Sequence, residues 1–152
     1  MESRDLPVVR LRAERERSVR RRHPWLMSGS IESVEGEPEA GASVLVVDSR
    51  GRRLGWGDWD PDAQLRVRMC EIGDAKEVGS TDWLRGRLRG ALEWRSRHPL
   101  LRDTDAMRLV HAEADGLPGL IVDRYADHLV VKPGTPGMLR RVPLLGELLA
   151  AH

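Results

Sequence analysis

The spacing of the apolar residues changes once along the chain, near Gly73, and that change limits the fold more than any other feature. Before it, apolar residues come in short runs separated by turn residues. "PVVRLR" reads as extended, and "HPWLMSGSI" turns at Ser28-Gly29. "ASVLVVD" is a nearly unbroken apolar run, the pattern of a strand buried on both faces. "SRGRR" turns the chain and "LGWGDW" resumes it, with Gly55 and Gly57 flanking Trp56 and allowing a close backbone approach or a bulge. In "QLRVRMC", Leu65, Val67 and Met69 share one face while Gln64, Arg66 and Arg68 share the other, the period of a half-buried strand. So many short strands in about 70 residues predict a small barrel or sandwich.

Beyond Gly73 the spacing becomes helical. Ser80, Thr81 or Asp82 caps a helix running to about His98, where Pro99 stops it. Leu84, Leu88, Ala91 and Leu92 form its apolar stripe, with Arg85 and Arg89 off it. Gly86 and Gly90 weaken this helix, and their spacing either permits close packing against a neighbour or has no consequence. Three strands follow, "MRLVHAE", "GLIVDRY" and "HLVVK", joined by the short links "ADGLPG" and "AD", which predict an antiparallel meander. A last helix is expected after Pro143, with Leu144, Leu145, Leu148 and Leu149 on one face and little left to cover them. The fold class is α+β: a β-rich domain over residues 1–73, then an α+β domain over 74–152 that is expected to be incomplete.

The formal net charge of +1 conceals where the charge sits. Of 25 basic residues, all but Lys76 and Lys132 are arginine, whose planar fork pairs with phosphate at two points and stacks on bases. A genome rich in arginine codons yields the same total, so placement has to decide. "RLRAERERSVRRRHPW" is basic and ends in Arg20, Arg21, Arg22 and His23; "ESVEGEPE" is acidic; a second arginine-rich stretch runs from Arg85 to Arg102. A basic face attracts a nucleic-acid backbone without regard to its sequence. Candidate RNA contacts are therefore Arg20, Arg21, Arg22 and His23, with Trp25 beyond them and Arg66 and Arg68 on an outward strand face, acting by phosphate pairing and base stacking. The competing reading is a solvated face for the arginines and core packing for Trp25 and Trp56, the reading preferred for both tryptophans. With 40% hydrophobic and 32% charged residues, no apolar run of about 18 residues and no secretion signal, a soluble cytoplasmic protein is expected, not a membrane protein. Cys70 is the only cysteine, which excludes an internal disulfide and a cysteine-based zinc cage. It lies in a strand pattern with no histidine near it in sequence, so it is read as a buried apolar residue and not a nucleophile.

The stretch "RLVHAEADGLPGLIVDRY" invites a chemical reading. On a continuous strand His111, Glu113 and Asp115 would share a face and could hold a divalent metal or act as acid and base. Asp115-Gly116 is a turn signal, however, and would rotate Asp115 away, while Pro118-Gly119 closes the loop. A hairpin whose polar groups satisfy turns and an interface is the preferred reading. Asp123 and Arg124 are adjacent and point to opposite sides. The Gly116-to-Gly119 step matches the GXXG loop of KH domains in letters only, since it lies between strands and beside an aspartate. No GxGxxG, Walker loop, GxSxG, HExxH or paired CxxC is present.

Three stretches taken together, "RRRHPWLMSGSIESVEG", "DSRGRRLGWGDWDPDAQLRVRMC" and "RLVHAEADGLPGLIVDRYADHLVV", resemble the class I S-adenosylmethionine-dependent methyltransferases of large-subunit (23S) ribosomal RNA, cytosine-C5 enzymes with an N-terminal PUA domain. The resemblance covers nearly the whole chain. It implies a PUA-like small β-barrel that binds ribosomal RNA, then a central α+β domain, with a Rossmann-type methyltransferase domain absent from these residues. S-adenosylmethionine would be the cofactor of the full-length family, with no cofactor and no catalytic residue in this chain. The family's usual Tyr-Asn-Pro is Trp59-Asp60-Pro61 here, which adds a negative charge and weakens the case for an RNA contact at that turn. The expectation is an RNA-binding, non-catalytic, truncated portion of such an enzyme, working with a separate methyltransferase domain or a second copy. Two other readings stay open: an assembly module using the last helix as an apolar seam, and a small metal-dependent enzyme centred on His111, Glu113 and Asp115.

Overall fold

The computed structural model describes residues 6–74, 77–101 and 103–151, so Lys76 and the Arg102 that closes the second basic stretch lie outside the described residues. The fold is α+β, and the chain divides into two compact units, Met1–Val78 and Gly79–His152.

The first unit is built from β1 (Val8–Leu11), α1 (Glu16–Arg20), β2 (Trp25–Met27), a 3-10 turn at Ser28–Ser30, β3 (Ile31–Glu35), β4 (Ser43–Val47), β5 (Arg53–Trp59) and β6 (Leu65–Ile72). These six strands form one sheet in the order β2-β6-β5-β4-β1-β3. β1 and β4 run parallel and the other neighbours antiparallel. β2 and β3 occupy opposite edges of that sheet, yet only Ser28–Ser30 separate them. A link that short reaches at most about 14 Å. The two edges must therefore approach each other, and the sheet curls round a core of Val9, Leu11, Leu26, Val44, Val46 and Val67, all essentially inaccessible to solvent.

Trp56, on β5, is fully buried. The glycines on either side of it serve both purposes their positions suggested. A Cβ on Gly55 would stand 2.1 Å from the Glu71 carbonyl oxygen, and one on Gly57 would stand 2.3 Å from that of Arg68. The β5–β6 register also slips between Trp56 and Gly57. Only residues without a side chain let the two backbones come this close. Helix α1 has no counterpart among the elements expected from sequence. It is five residues long and buries Val19 alone, so it leaves no periodic apolar trace.

The second unit comprises α2 (Thr81–Arg97), β7 (Ala106–His111), β8 (Leu120–Tyr125), β9 (His128–Pro133), α3 (Pro136–Arg140) and α4 (Val142–Ala150). Ser80 caps α2, its Oγ accepting from the Trp83 amide at 3.0 Å. Helix α2 buries Trp83, Leu84, Leu88, Ala91 and Arg95, while Gly86 and Gly90 face open space with nothing within 4 Å of an added Cβ. Neither glycine packs closely against another element among the described residues. The strands form the antiparallel meander β7-β8-β9.

Two corrections concern the end of the chain. The leucines of α4 are not left exposed: Leu145 and Leu149 are buried, and Leu144 and Leu148 half-buried. Ahead of α4 lies α3, capped by Thr135, whose Oγ1 accepts from the Met138 amide at 3.3 Å, and it buries Met138 completely. Among the described residues no helix is long and apolar enough to cross a membrane.

Candidate nucleic-acid interface

β2 is an edge strand paired with β6, with Trp25 opposite Arg68 and Leu26 opposite Val67. Strand alternation sends Leu26 and Val67 into the core and Trp25 and Arg68 outward. Trp25 is 45% exposed. The preferred core-packing reading thus holds for Trp56 and fails for Trp25, because Trp25 sits one residue out of phase with the buried Leu26.

The exposed indole is part of a built cluster. The Arg68 guanidinium lies 5.8 Å from the Trp25 ring centroid, within cation–π reach. The His23 imidazole approaches the same ring edge-on, centroids 5.8 Å apart. Its Nδ1 accepts from the Trp25 amide at 3.3 Å, which fixes the imidazole beside the indole. Two residues along β6, Arg66 lies 6.0 Å from the ring of Trp59. Arg21 and Arg22 are exposed in the turn that leads into β2, Arg22 with a positive φ of 63°.

Arg20 stands apart from this group. It donates to the fully buried carboxylate of Asp48 at 3.1 Å. Asp48 also accepts from the Arg50 amide (3.0 Å), the Arg52 amide (2.9 Å) and the Arg52 Nε (2.8 Å). Burial pushes the Asp48 carboxyl up, but the hydrogen bonds from Arg52 and Arg50 outweigh it and hold the group below the usual carboxylate range. Arg20 therefore commits part of its charge to the fold. "DSRGR" advertised the turn and not the arginine, 28 residues earlier, that completes it.

The added negative charge at Asp60 also has a local role. Its Oδ1 accepts from the amides of Asp62 (3.2 Å) and Ala63 (3.3 Å), a turn-forming task that an asparagine performs equally.

The His111, Glu113 and Asp115 trio does not assemble. β7 ends at His111, the chain enters a 3-10 turn over Ala112–Asp115, and Gly116 closes it with a left-handed φ of 66°. Asp115 instead forms a two-point pair with Arg95, at 2.6 and 2.7 Å, and accepts from the His111 amide at 2.6 Å. Burial pushes this carboxyl up, while the bonds from Arg95 and His111 prevail and hold it low. Arg95 is itself buried on α2 and also donates to the carbonyls of Arg108 (3.1 Å) and Ala91 (3.2 Å). Among the described residues no three His, Cys, Asp or Glu side chains gather as a metal site. Sequence reasoning missed Arg95. Its one sequence signal is an arginine four places after Ala91, in the apolar stripe of the helix.

Asp123 pairs with Arg108 across the β7–β8 ladder at 2.8 and 3.1 Å, and Arg124 donates to the Thr104 carbonyl at 3.1 Å, so the neighbours do take opposite sides. Cys70 is buried.

Residues 9–71, from β1 to the end of β6, match the PUA-like domain family. Ribosomal RNA large subunit methyltransferase I of Tolumonas auensis is 43% identical over 123 residues, covering 81% of this chain and 31% of that protein. The same enzyme of Shewanella denitrificans is 43% identical over 145 residues, covering 93% of this chain and 36% of its own length. A Streptococcus mutans protein described as a SAM-dependent methyltransferase shares the fold, with a TM-score of 0.74 at 12% identity over 93% of this chain and 36% of that one. The chain is thus homologous to part of ribosomal RNA large subunit methyltransferase I, and it spans about a third of the length of the relatives it matches.

Proposed function

We propose that this chain is the RNA-reading portion of a ribosomal large-subunit RNA cytosine-C5 methyltransferase. The β2–β6 face of its PUA-like unit holds the RNA, and the methyl transfer is performed by residues outside these. The observation that carries this reading is the exposed Trp25 flanked by the Arg68 guanidinium and the His23 ring. An indole presented to solvent beside a guanidinium offers a base a stacking surface and its phosphate a partner. Arg21 and Arg22 add charge immediately before this strand, Arg66 adds it on β6, and Arg20 contributes what Asp48 leaves. The homology to ribosomal RNA methyltransferases points to the RNA class, and the "HAEADGLPGLIVDRY" resemblance supports the cytosine-C5 assignment.

The test is filter binding to large-subunit RNA fragments across a salt series. The affinity should fall linearly on a logarithmic scale as salt rises. Arg21→Glu/Arg22→Glu should flatten that slope by about 2, roughly one for each arginine–phosphate pair removed. Trp25→Ala should weaken binding by about 1–3 kcal/mol at fixed salt. Salt-independent binding, or none, would overturn the proposal. The chain alone should give no turnover in a methyl-transfer assay with S-adenosylmethionine.

A further inference from the structure

The second basic stretch is not used by the face described above. Most of it forms the solvent side of α2, which carries Arg85, Arg89, Trp94 and Arg97, all exposed. Trp94 is 60% exposed, more than any other aromatic side chain among the described residues. It is nonetheless held in place. The Arg95 guanidinium, fixed by Asp115, lies 5.1 Å from its ring centroid, and the His98 ring lies 5.3 Å away at a tilt of 43°.

Beside the indole is a hollow of about 340 Å³ lined by Gly90, Glu93, Trp94, Arg97, His98 and Pro99. The glycine leaves its floor open, and the buried Nδ1 of His98 has no protein partner there. An ordered, exposed tryptophan above an open hollow suits a flat ligand that stacks.

Charge selects what kind of flat ligand. Arg85 is paired with Asp82, while Arg89 and Arg97 reach Glu93 only at 4.0 and 3.8 Å. One carboxylate between two guanidiniums leaves positive charge unbalanced along the helix.

We propose that the exposed face of α2 is a second RNA contact, stacking an unpaired base on Trp94 and pairing the flanking phosphates with Arg89 and Arg97. This rests on the RNA-reading function proposed above and names its substrate as single-stranded at this point.

The test uses the full chain with a single-stranded ribosomal RNA fragment and with the same fragment annealed to its complement. Wild type should prefer the single strand. Trp94→Ala should weaken single-strand binding by about 5- to 100-fold and leave duplex binding unchanged, and Trp94→Phe should restore most of the loss. Arg89→Glu/Arg97→Glu should weaken both and flatten the salt dependence. Trp94 is exposed, so unchanged thermal melting confirms that the variants fold. Wild-type affinity in Trp94→Ala, with binding still weakened in Trp25→Ala, would overturn the α2 contact and leave the first interface standing. No RNA binding by wild type would overturn both. A change in mass by light scattering in Trp94→Ala with RNA affinity intact would also overturn the proposal, in favour of a second copy on this face.

Discussion

Single residues here separate by what holds them. Asp48, Asp115 and Asp123 could each have been taken for chemistry, and each is neutralised by arginine within the fold. Asp115 is the most telling, because its partner Arg95 is buried and its own side chain is half-buried against it. Removing one member of such a pair leaves the other charge without compensation, so Asp115→Asn is expected to cost about 3–5 kcal/mol, read by urea unfolding. The pH dependence follows from the same bonds. All three carboxyls sit below their ordinary value in the folded chain. Their contribution is complete above the unfolded value of about 4 and is lost as pH falls through the lower folded values. The melting temperature should therefore hold from pH 7 to about 5 and drop below about 4. In Asp115→Asn the drop should be shallower.

At the scale of elements, legibility followed the number of buried side chains an element contributes. β6 alternates from Leu65 to Met69 and α2 repeats over seventeen residues, and both stood out from the sequence. Helix α1, with Val19 alone buried, did not, and α3 was hidden inside a proline- and glycine-rich link. The site was legible in part for a similar reason. Runs of arginine are visible in one dimension, so Arg21, Arg22, Arg66 and Arg68 could be nominated. That Arg20 turns to Asp48, or that Trp25 faces out beside Arg68, depends on partners far along the chain. The glycines of α2 give an element-scale prediction. Both point to open space, so Gly86→Ala should stabilise the helix by about 1 kcal/mol, seen as a rise of a few degrees in melting temperature. Gly57→Ala should have the opposite sign and be severe, because the new methyl meets the β6 backbone.

For the molecule as a whole, each unit has its own core. The first is centred on Val9, Val44 and Val67, the second on Leu88, Val110, Val122 and Leu145. A fragment of residues 1–78 should therefore fold alone, with a cooperative melt and a β-type circular dichroism spectrum, and retain the binding that depends on Trp25. The α+β class and the three-stranded meander were readable in advance because short links leave few ways to connect strands. The closure of the six-stranded sheet was not, since it is a matter of which strands lie at the ends.

That closure has a price in robustness. Three small residues, Ser28, Gly29 and Ser30, are the tether that keeps the first and last members of the sheet face to face. Cleaving the chain there would leave every strand pairing in the sheet formally intact and yet free two margins whose unpaired amides invite strands from other molecules. The shortest connection in the β-rich unit is thus also its guard against aggregation.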